Sequence, residues 1–269
     1  MFDVHHHLLF GLDDGSPDLE TSLAMAEMAV EDGITHVVCT PHANSEYPYS
    51  PDQNAERLAQ LRARLQDRLT LGIGCDFHLS YDNIESALDH PTRYSINGGR
   101  YLLVEFPDFG IPRNIGSSFH ELQVAGLVPI ITHPERNLTL MQQIERMSEW
   151  VEMGCLVQVT AASVLGRFGK GPQRIARQLL DLQWVHMLAT DAHNLTSRPP
   201  KLREACEWIA GKYGKDEAER LCVRNPGHIF KNLPLEEQPA PRQLGAEKEP
   251  PPKRRWLGLF SRGNSRDQD

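Results

Sequence analysis

No apolar run in this sequence approaches the roughly 18 residues that a membrane-crossing helix needs, and the N-terminus lacks the basic-then-apolar pattern of a secretory leader. Cysteine is scarce. Cys39, Cys75, Cys155, Cys206 and Cys222 are odd in number, scattered and free of any C-x-x-C pair, which excludes a dense disulfide framework and predicts reduced thiols in a cytoplasmic protein. None of the five is followed six residues later by arginine, so chemistry built on a thiolate and a phosphate loop is excluded as well. Positive charge is short: 28 Lys and Arg face 36 Asp and Glu, a net charge of −8 that argues against broad nucleic-acid binding. Several motifs begin and then fail. His120-Glu121 lacks the second histidine of a zincin helix, and Gly72-Ile73-Gly74 lacks the third glycine of a dinucleotide loop. The stretch from Gly166 to Gly171 lacks the spacing of a nucleotide-phosphate loop.

What is there begins at once. Residues 1–15 read MFDVHHHLLFGLDDG. A short strand from Phe2 puts His5 and His7 on one face and His6 on the other. Two imidazoles on a stiff support can grip one divalent ion, and Asp13 and Asp14 follow directly at the turn before Gly15. A tag remnant would stand apart from folded sequence, whereas this cluster is embedded in a strand-turn-helix pattern.

The rest of the chain alternates. A helix is expected from the Pro17 turn to Gly33, with Pro17 in its first turn, and further helices over about 52–67, 117–125, 141–153, 172–181, 201–213 and 216–223. Between them lie short, nearly all-apolar runs, which predict a parallel sheet covered by helices, an α/β fold of seven strands. In such folds chemistry gathers at the carboxyl ends of the strands. Six of the seven expected ends carry His, Asp or Glu: His5 and His7; His42 after Pro41; Asp76; Glu105; His133; and Asp191 with His193. The run 156–159 ends in Thr160 and offers no ligand type. One such residue alone reads as a cap or turn former, but six ends together read as a metal centre. His78, two residues after Asp76, is a candidate to stand behind the ligands. His36 and His186 belong to the opposite rim, and His90, His120 and His228 to solvated positions.

Past Leu233 the composition changes. Residues 234–269 hold six of the 19 prolines and few large apolar groups, too little apolar surface to fold alone. The expectation is a folded domain over 1–233 and a disordered tail over 234–269. Within the tail, the basic-aromatic island at 253–262 is able to touch an anionic membrane surface or a partner groove.

The motifs DVHHHLLFGLDDG, CTPH (39–42), VEF (104–106), THPER (132–136) and ATDAHNLTSRPP (189–200) occur in order and at matching spacing. On them, residues 1–233 resemble the PHP (polymerase and histidinol phosphatase) superfamily, and within it the bacterial metal-dependent protein-tyrosine phosphatases of capsule and exopolysaccharide operons. The resemblance implies a distorted seven-stranded (β/α) barrel around three divalent ions, manganese first and iron, zinc or cobalt as alternatives. It implies that His5, His7, Asp76 and Asp191 hold the first ion, and Asp76, Glu105 and His133 the second. Asp14, His42 and His193 hold the third, with Arg136 and Arg198 on the phosphate and Asp14 beside the reacting group. Asp76 stands where the family commonly has Glu, one methylene shorter, and the middle histidine His6 is atypical. The implied reaction is hydrolysis of phosphotyrosine by a metal-activated hydroxide, on a protein substrate such as a bacterial tyrosine autokinase. No nucleic acid is implied, and oligomeric state is left open. The alternatives are a phosphatase of a small phosphomonoester such as histidinol phosphate, or a non-catalytic metal-binding regulator.

Overall fold

The computed structural model describes residues 1–107, 110–112 and 114–244. Its strands are β1 (Phe2–His6), β2 (His36–Cys39), β3 (His42–Ala43), β4 (Thr70–Ile73), β5 (Asp76–His78), β6 (Tyr101–Glu105), β7 (Val128–Thr132), β8 (Leu156–Thr160) and β9 (Met187–Ala189). Every pairing is parallel, in the orders β1-β2-β4 and β3-β5-β6-β7-β8-β9. Where seven strands are expected there are nine segments, because two of the expected strands are interrupted. Pro41 has no N–H to give a ladder and divides β2 from β3; Gly74 and Cys75 divide β4 from β5. The ladder bridges both breaks, with Gly74 N donating to Cys39 O at 2.9 Å and Asp76 N to Pro41 O at 3.1 Å. A parallel bridge between His6 and Ala192 joins the region after β9 to β1, with Asp191 N donating to His5 O and His7 N to Ala192 O, both at 2.9 Å.

Both faces of the strands are buried, as expected of parallel strands. Val37, Cys39, Leu102, Val104, Ile131, Val157 and Leu188 belong to the larger core, which also takes in helix residues such as Met25, Leu61, Phe119 and Leu179. Their alternate neighbours Val38, Leu103, Ile130, Leu156, Met187 and Ala189 form a second cluster with Val4, Tyr101 and Ile229. A cluster fed by β1, β2, β6, β7, β8 and β9 is enclosed by them. It makes an apolar floor, and residues two further along the same faces, such as Glu105 and Gln158, stand above it.

The helices are α1 (Leu19–Glu31), α2 (Pro51–Leu65), α3 (Tyr81–Asp89), α4 (Ile115–Val124), α5 (Leu138–Gln142), α6 (Met147–Glu152), α7 (Ala161–Val164), α8 (Lys170–Asp181), α9 (Arg203–Tyr213), α10 (Lys215–Glu219) and α11 (Asn225–Phe230). Several expectations are corrected. The N-cap of α1 is Asp18, whose carboxylate accepts from Thr21 N at 2.8 Å, so Pro17 precedes the cap. The helix expected over 141–153 is two helices, the first capped by Asn137, which accepts from Thr139 N and Leu140 N. Helix α3 is a further element beyond the expected helices; Ile84 and Leu88 pack against the core and Ala87 is buried.

The five cysteines are not all reduced. Cys206 on α9 and Cys222, on a π-helical turn over Arg220–Arg224, form a disulfide, while Cys39, Cys75 and Cys155 are free and buried. A separation of 16 residues in sequence gives no sign of this pairing. It arises because α9 and α10 fold back on one another. Past Leu233 the chain stays against the body: Trp184 Nε1 donates to Arg242 O at 3.1 Å, and Gln238 exchanges hydrogen bonds with Asn225 and accepts from Arg220. The island at 253–262 lies outside the described residues. No helix among the described residues is long and apolar enough to cross a membrane.

Candidate metal centre

All nine expected ligand residues converge. They fall into four overlapping groups whose ligand atoms lie within 4.8 Å of one another: His7, Asp14, His42 and His193; His5, His7 and Asp76; His5, His133 and Asp191; and His42, Asp76 and Glu105. Three of these depart from the expected sets. His7 joins Asp14, His42 and His193. His133 groups with His5 and Asp191, its Nε2 lying 3.6 Å from Glu105 Oε1, and His42 joins Asp76 and Glu105. His78 is in no group, with Nδ1 3.8 Å from Glu105 Oε2.

Local backbone aims these side chains. His133 and Asp191 both adopt left-handed conformations, with φ of 32° and 52°. Such residues are uncommon outside glycine and concentrate at functional sites, where the surroundings hold them. Gly15 is required by close approach: a Cβ there would lie 2.5 Å from both Cβ and O of His7. The Asp13-Asp14-Gly15 turn therefore presses directly on His7, the first residue past β1.

The spacing fits bound cations. His5 Nε2 is 3.3 Å from Asp76 Oδ2, from Asp191 Oδ1 and from His7 Nε2. Asp14 Oδ1 is 3.3 Å from both His42 Nε2 and His193 Nε2. Donor atoms about 2.1 Å from a shared ion at tetrahedral angles lie about 3.4 Å apart. Both oxygens of Asp76, Asp191 Oδ1, His42 Nδ1 and His193 Nε2 are buried without a hydrogen-bond partner, an arrangement that costs free energy unless something else satisfies them. The donor set, five imidazoles and four carboxylates, suits divalent transition ions.

Two residues absent from the expected list meet the imidazoles at Nδ1. Asp13 Oδ2 accepts from His7 Nδ1 at 2.7 Å, and Gln158 Oε1 on β8 contacts His5 Nδ1 at 2.9 Å. His193 Nδ1 is 3.0 Å from the carbonyl of Asp191. With Nδ1 occupied in each, Nε2 faces the cluster. Asp13 is visible in sequence as a neighbour of Asp14; nothing marks Gln158.

Electrostatics follow. Burial pulls the His5 imidazolium down, but the Asp76 and Asp191 carboxylates outweigh it and lift it to about 9. Burial likewise opposes His42, which Asp14, Asp76 and Glu105 raise to about 10. Burial, then the charge of His7, lowers His193 to about 4. Burial and Arg136 hold His133 well below its usual range. Burial would raise Asp191, yet Arg136 and Arg198 keep it ionised. Glu105 is raised by burial and then by Asp76. His6 is fully buried with both ring nitrogens unpartnered, and burial lowers it to about 3. It belongs to none of the four groups.

Arg136 and Arg198 both donate to Asp191 Oδ2, Arg198 at 2.5 Å. The Arg136 guanidinium lies 5.1 Å over the Phe168 ring, and Arg198 Nε is buried with no partner. Asp14 is the open corner, its side chain 46% exposed against 1% for Asp76 and Asp191.

Residues 1–231 match the family described as capsular polysaccharide synthesis, CpsB/CapC. The chain belongs to that family. Its relatives include the tyrosine-protein phosphatase YwqE of Bacillus subtilis, 31% identical over 264 residues, which are 97% of this chain and 100% of YwqE. The tyrosine-protein phosphatase CpsB of Streptococcus pneumoniae is 32% identical over 239 residues, 86% of this chain and 98% of CpsB. Among solved structures, those of YwqE and CpsB, described as unique metal-dependent tyrosine phosphatases, include a chain that superposes with a TM-score of 0.84 at 31% identity. That match covers 91% of this chain and all of the other. A β-aspartyl dipeptidase from Fervidobacterium islandicum, at 15% identity and a TM-score of 0.54, shares the fold alone.

Proposed function

We propose that this CpsB/CapC family member is a metal-dependent tyrosine-protein phosphatase acting in capsular polysaccharide synthesis. Its substrate is the phosphotyrosine of a protein, with a tyrosine autokinase of the export system as the natural one. The observation that carries the reading is the convergence of nine side chains of metal-ligand type, eight of them at or just past strand ends, beside two arginines that share one carboxylate.

In this reading the nine side chains would hold three ions, with His5, His7, His42 and Asp76, each a member of two of the four groups, able to serve neighbouring ions. Manganese is proposed for all three. Bound there, the ions supply positive charge for a phosphate dianion and acidify a water nucleophile toward neutral pH. The chain's own residues do the rest. Asp13, accepting from His7 Nδ1, fixes which nitrogen of His7 faces inward. Arg136, braced by Phe168, and Arg198, with its unpartnered Nε, turn from Asp191 to the phosphate oxygens. Asp14, at the exposed corner, is nearest the path of substrate and leaving group. A tyrosine leaving group, of pKa about 10, needs less proton assistance than an alkoxide.

Arg198→Ala tests the arrangement. Turnover of a phosphotyrosine peptide is expected to show a raised KM and a kcat/KM lowered about tenfold or more, with metal content per chain unchanged. Unaltered kinetics, or loss of metal, would remove Arg198 from the phosphate site.

A further inference from the structure

β8 brings the cluster no His, Asp or Glu, yet its third residue, Gln158, is fully buried directly beside His5. The contact is between Gln158 Oε1 and His5 Nδ1, at 2.9 Å. Gln158 Nε2 has no partner at all. The amide could in principle lie either way round, but the two orientations have opposite consequences. An amide nitrogen on Nδ1 would leave the ring proton on Nε2. That proton would then stand among Asp76 Oδ2, Asp191 Oδ1 and His7 Nε2, where it would exclude an ion.

We propose that Gln158 is a positioning residue of the metal centre: its Oε1 accepts the His5 Nδ1 proton and thereby presents the Nε2 lone pair to a divalent ion. This rests on the metal-site reading above. An amide, and not a carboxylate, suits the place. Asp3, Asp76 and Asp191 are already buried around His5, and a further buried charge would carry a large desolvation penalty. The amide also serves both states of the centre. Nδ1 donates to Oε1 whether Nε2 carries a proton or a metal.

The unpartnered Nε2 allows the role to be separated from a structural one. Gln158→Met keeps the length of the side chain, removes the acceptor and also removes a buried, unsatisfied donor. It removes one buried orphan donor and orphans another, the His5 Nδ1 proton, so the metal-free Tm of the full chain should change little, while binding of Mn(II), titrated alone, should weaken about 10- to 100-fold. Gln158→Glu restores an acceptor and should bind Mn(II) at least as tightly as wild type. In zinc-loaded wild type, nitrogen-15 spectra should place the His5 proton on Nδ1. Equal Mn(II) affinity in Gln158→Met and wild type overturns the inference, as does a zinc-loaded His5 with its proton on Nε2. So does affinity lost in step with Tm in both variants. Wild-type protein that binds no Mn(II) would instead overturn the metal-site reading itself.

Discussion

At position 15 the backbone passes so close to His7 that any side chain must move the strand. Gly15→Ala is expected to weaken Mn(II) binding about tenfold or more, through displacement of His7, while the apolar floor keeps the fold. Wild-type affinity measured by titration would show that the turn yields without disturbing the ligand. A second residue-scale consequence concerns protons. In the empty centre His5 and His42, raised to about 9 and about 10 by their carboxylate neighbours, are protonated at neutral pH. Asp76 and Asp191 are held low and have no proton to lose there. Metal must displace the imidazole protons, so affinity rises with pH and loading releases acid. Adding Mn(II) to weakly buffered protein at about pH 7 should acidify it, and affinity should increase from about pH 6 to about pH 8. Proton-neutral binding of constant affinity would contradict the assignment of these two histidines. Eight of the nine ligand candidates are legible in the sequence because strand-end position can be read from apolar runs; Asp14, in a turn, comes through the family resemblance. Gln158 and the partners of His133 are not, because both depend on which ring nitrogen meets which neighbouring strand.

At the scale of elements, the alternation of apolar runs and helical stripes identifies the parallel α/β architecture. What it misses has local causes. Pro41 and the Gly74-Cys75 step each divide one apolar run, and because of this Asp76 opens β5 where the sequence places it at the end of a strand. Helix α3, capped by Ser80, spans nine residues, too short for its stripe of Tyr81, Ile84 and Leu88 to stand out from a loop. The Cys206–Cys222 bond is tertiary in origin. It ties α9 to the π-helical turn, which packs against both β9 and β1. Cross-linking across 16 residues stabilises by about 3 kcal/mol through restriction of the unfolded chain. The Cys206→Ser, Cys222→Ser double variant should lose about that much in denaturant unfolding, and reductant should bring wild type to the same midpoint. A midpoint unaffected by either change would show that the bond does not brace these elements.

At the scale of the whole molecule, the ring of parallel strands gathers acids and imidazoles on one rim, over a floor that excludes water from below. The charge of the chain, −8 overall, makes a phosphate-bearing substrate an improbable guest unless the rim is neutralised. Four carboxylates converge there, Asp14, Asp76, Glu105 and Asp191. Without metal, the protonated His5 and His42 and the guanidinium groups of Arg136 and Arg198 already offset these acids and leave little field for a phosphate dianion; loaded with divalent ions, the same rim attracts it. No cysteine can substitute, since Cys39, Cys75 and Cys155 are buried, with thiols pushed up by burial, and Cys206 and Cys222 are joined. Activity should therefore require metal occupancy and no cysteine. The most direct measurement is turnover of a phosphotyrosine peptide by full-length protein stripped with a strong chelator and verified metal-free, before and after Mn(II) is added back. The stripped protein should be inactive and should recover with added ion. Full-rate turnover by the verified metal-free protein would contradict the account of the strand-end residues.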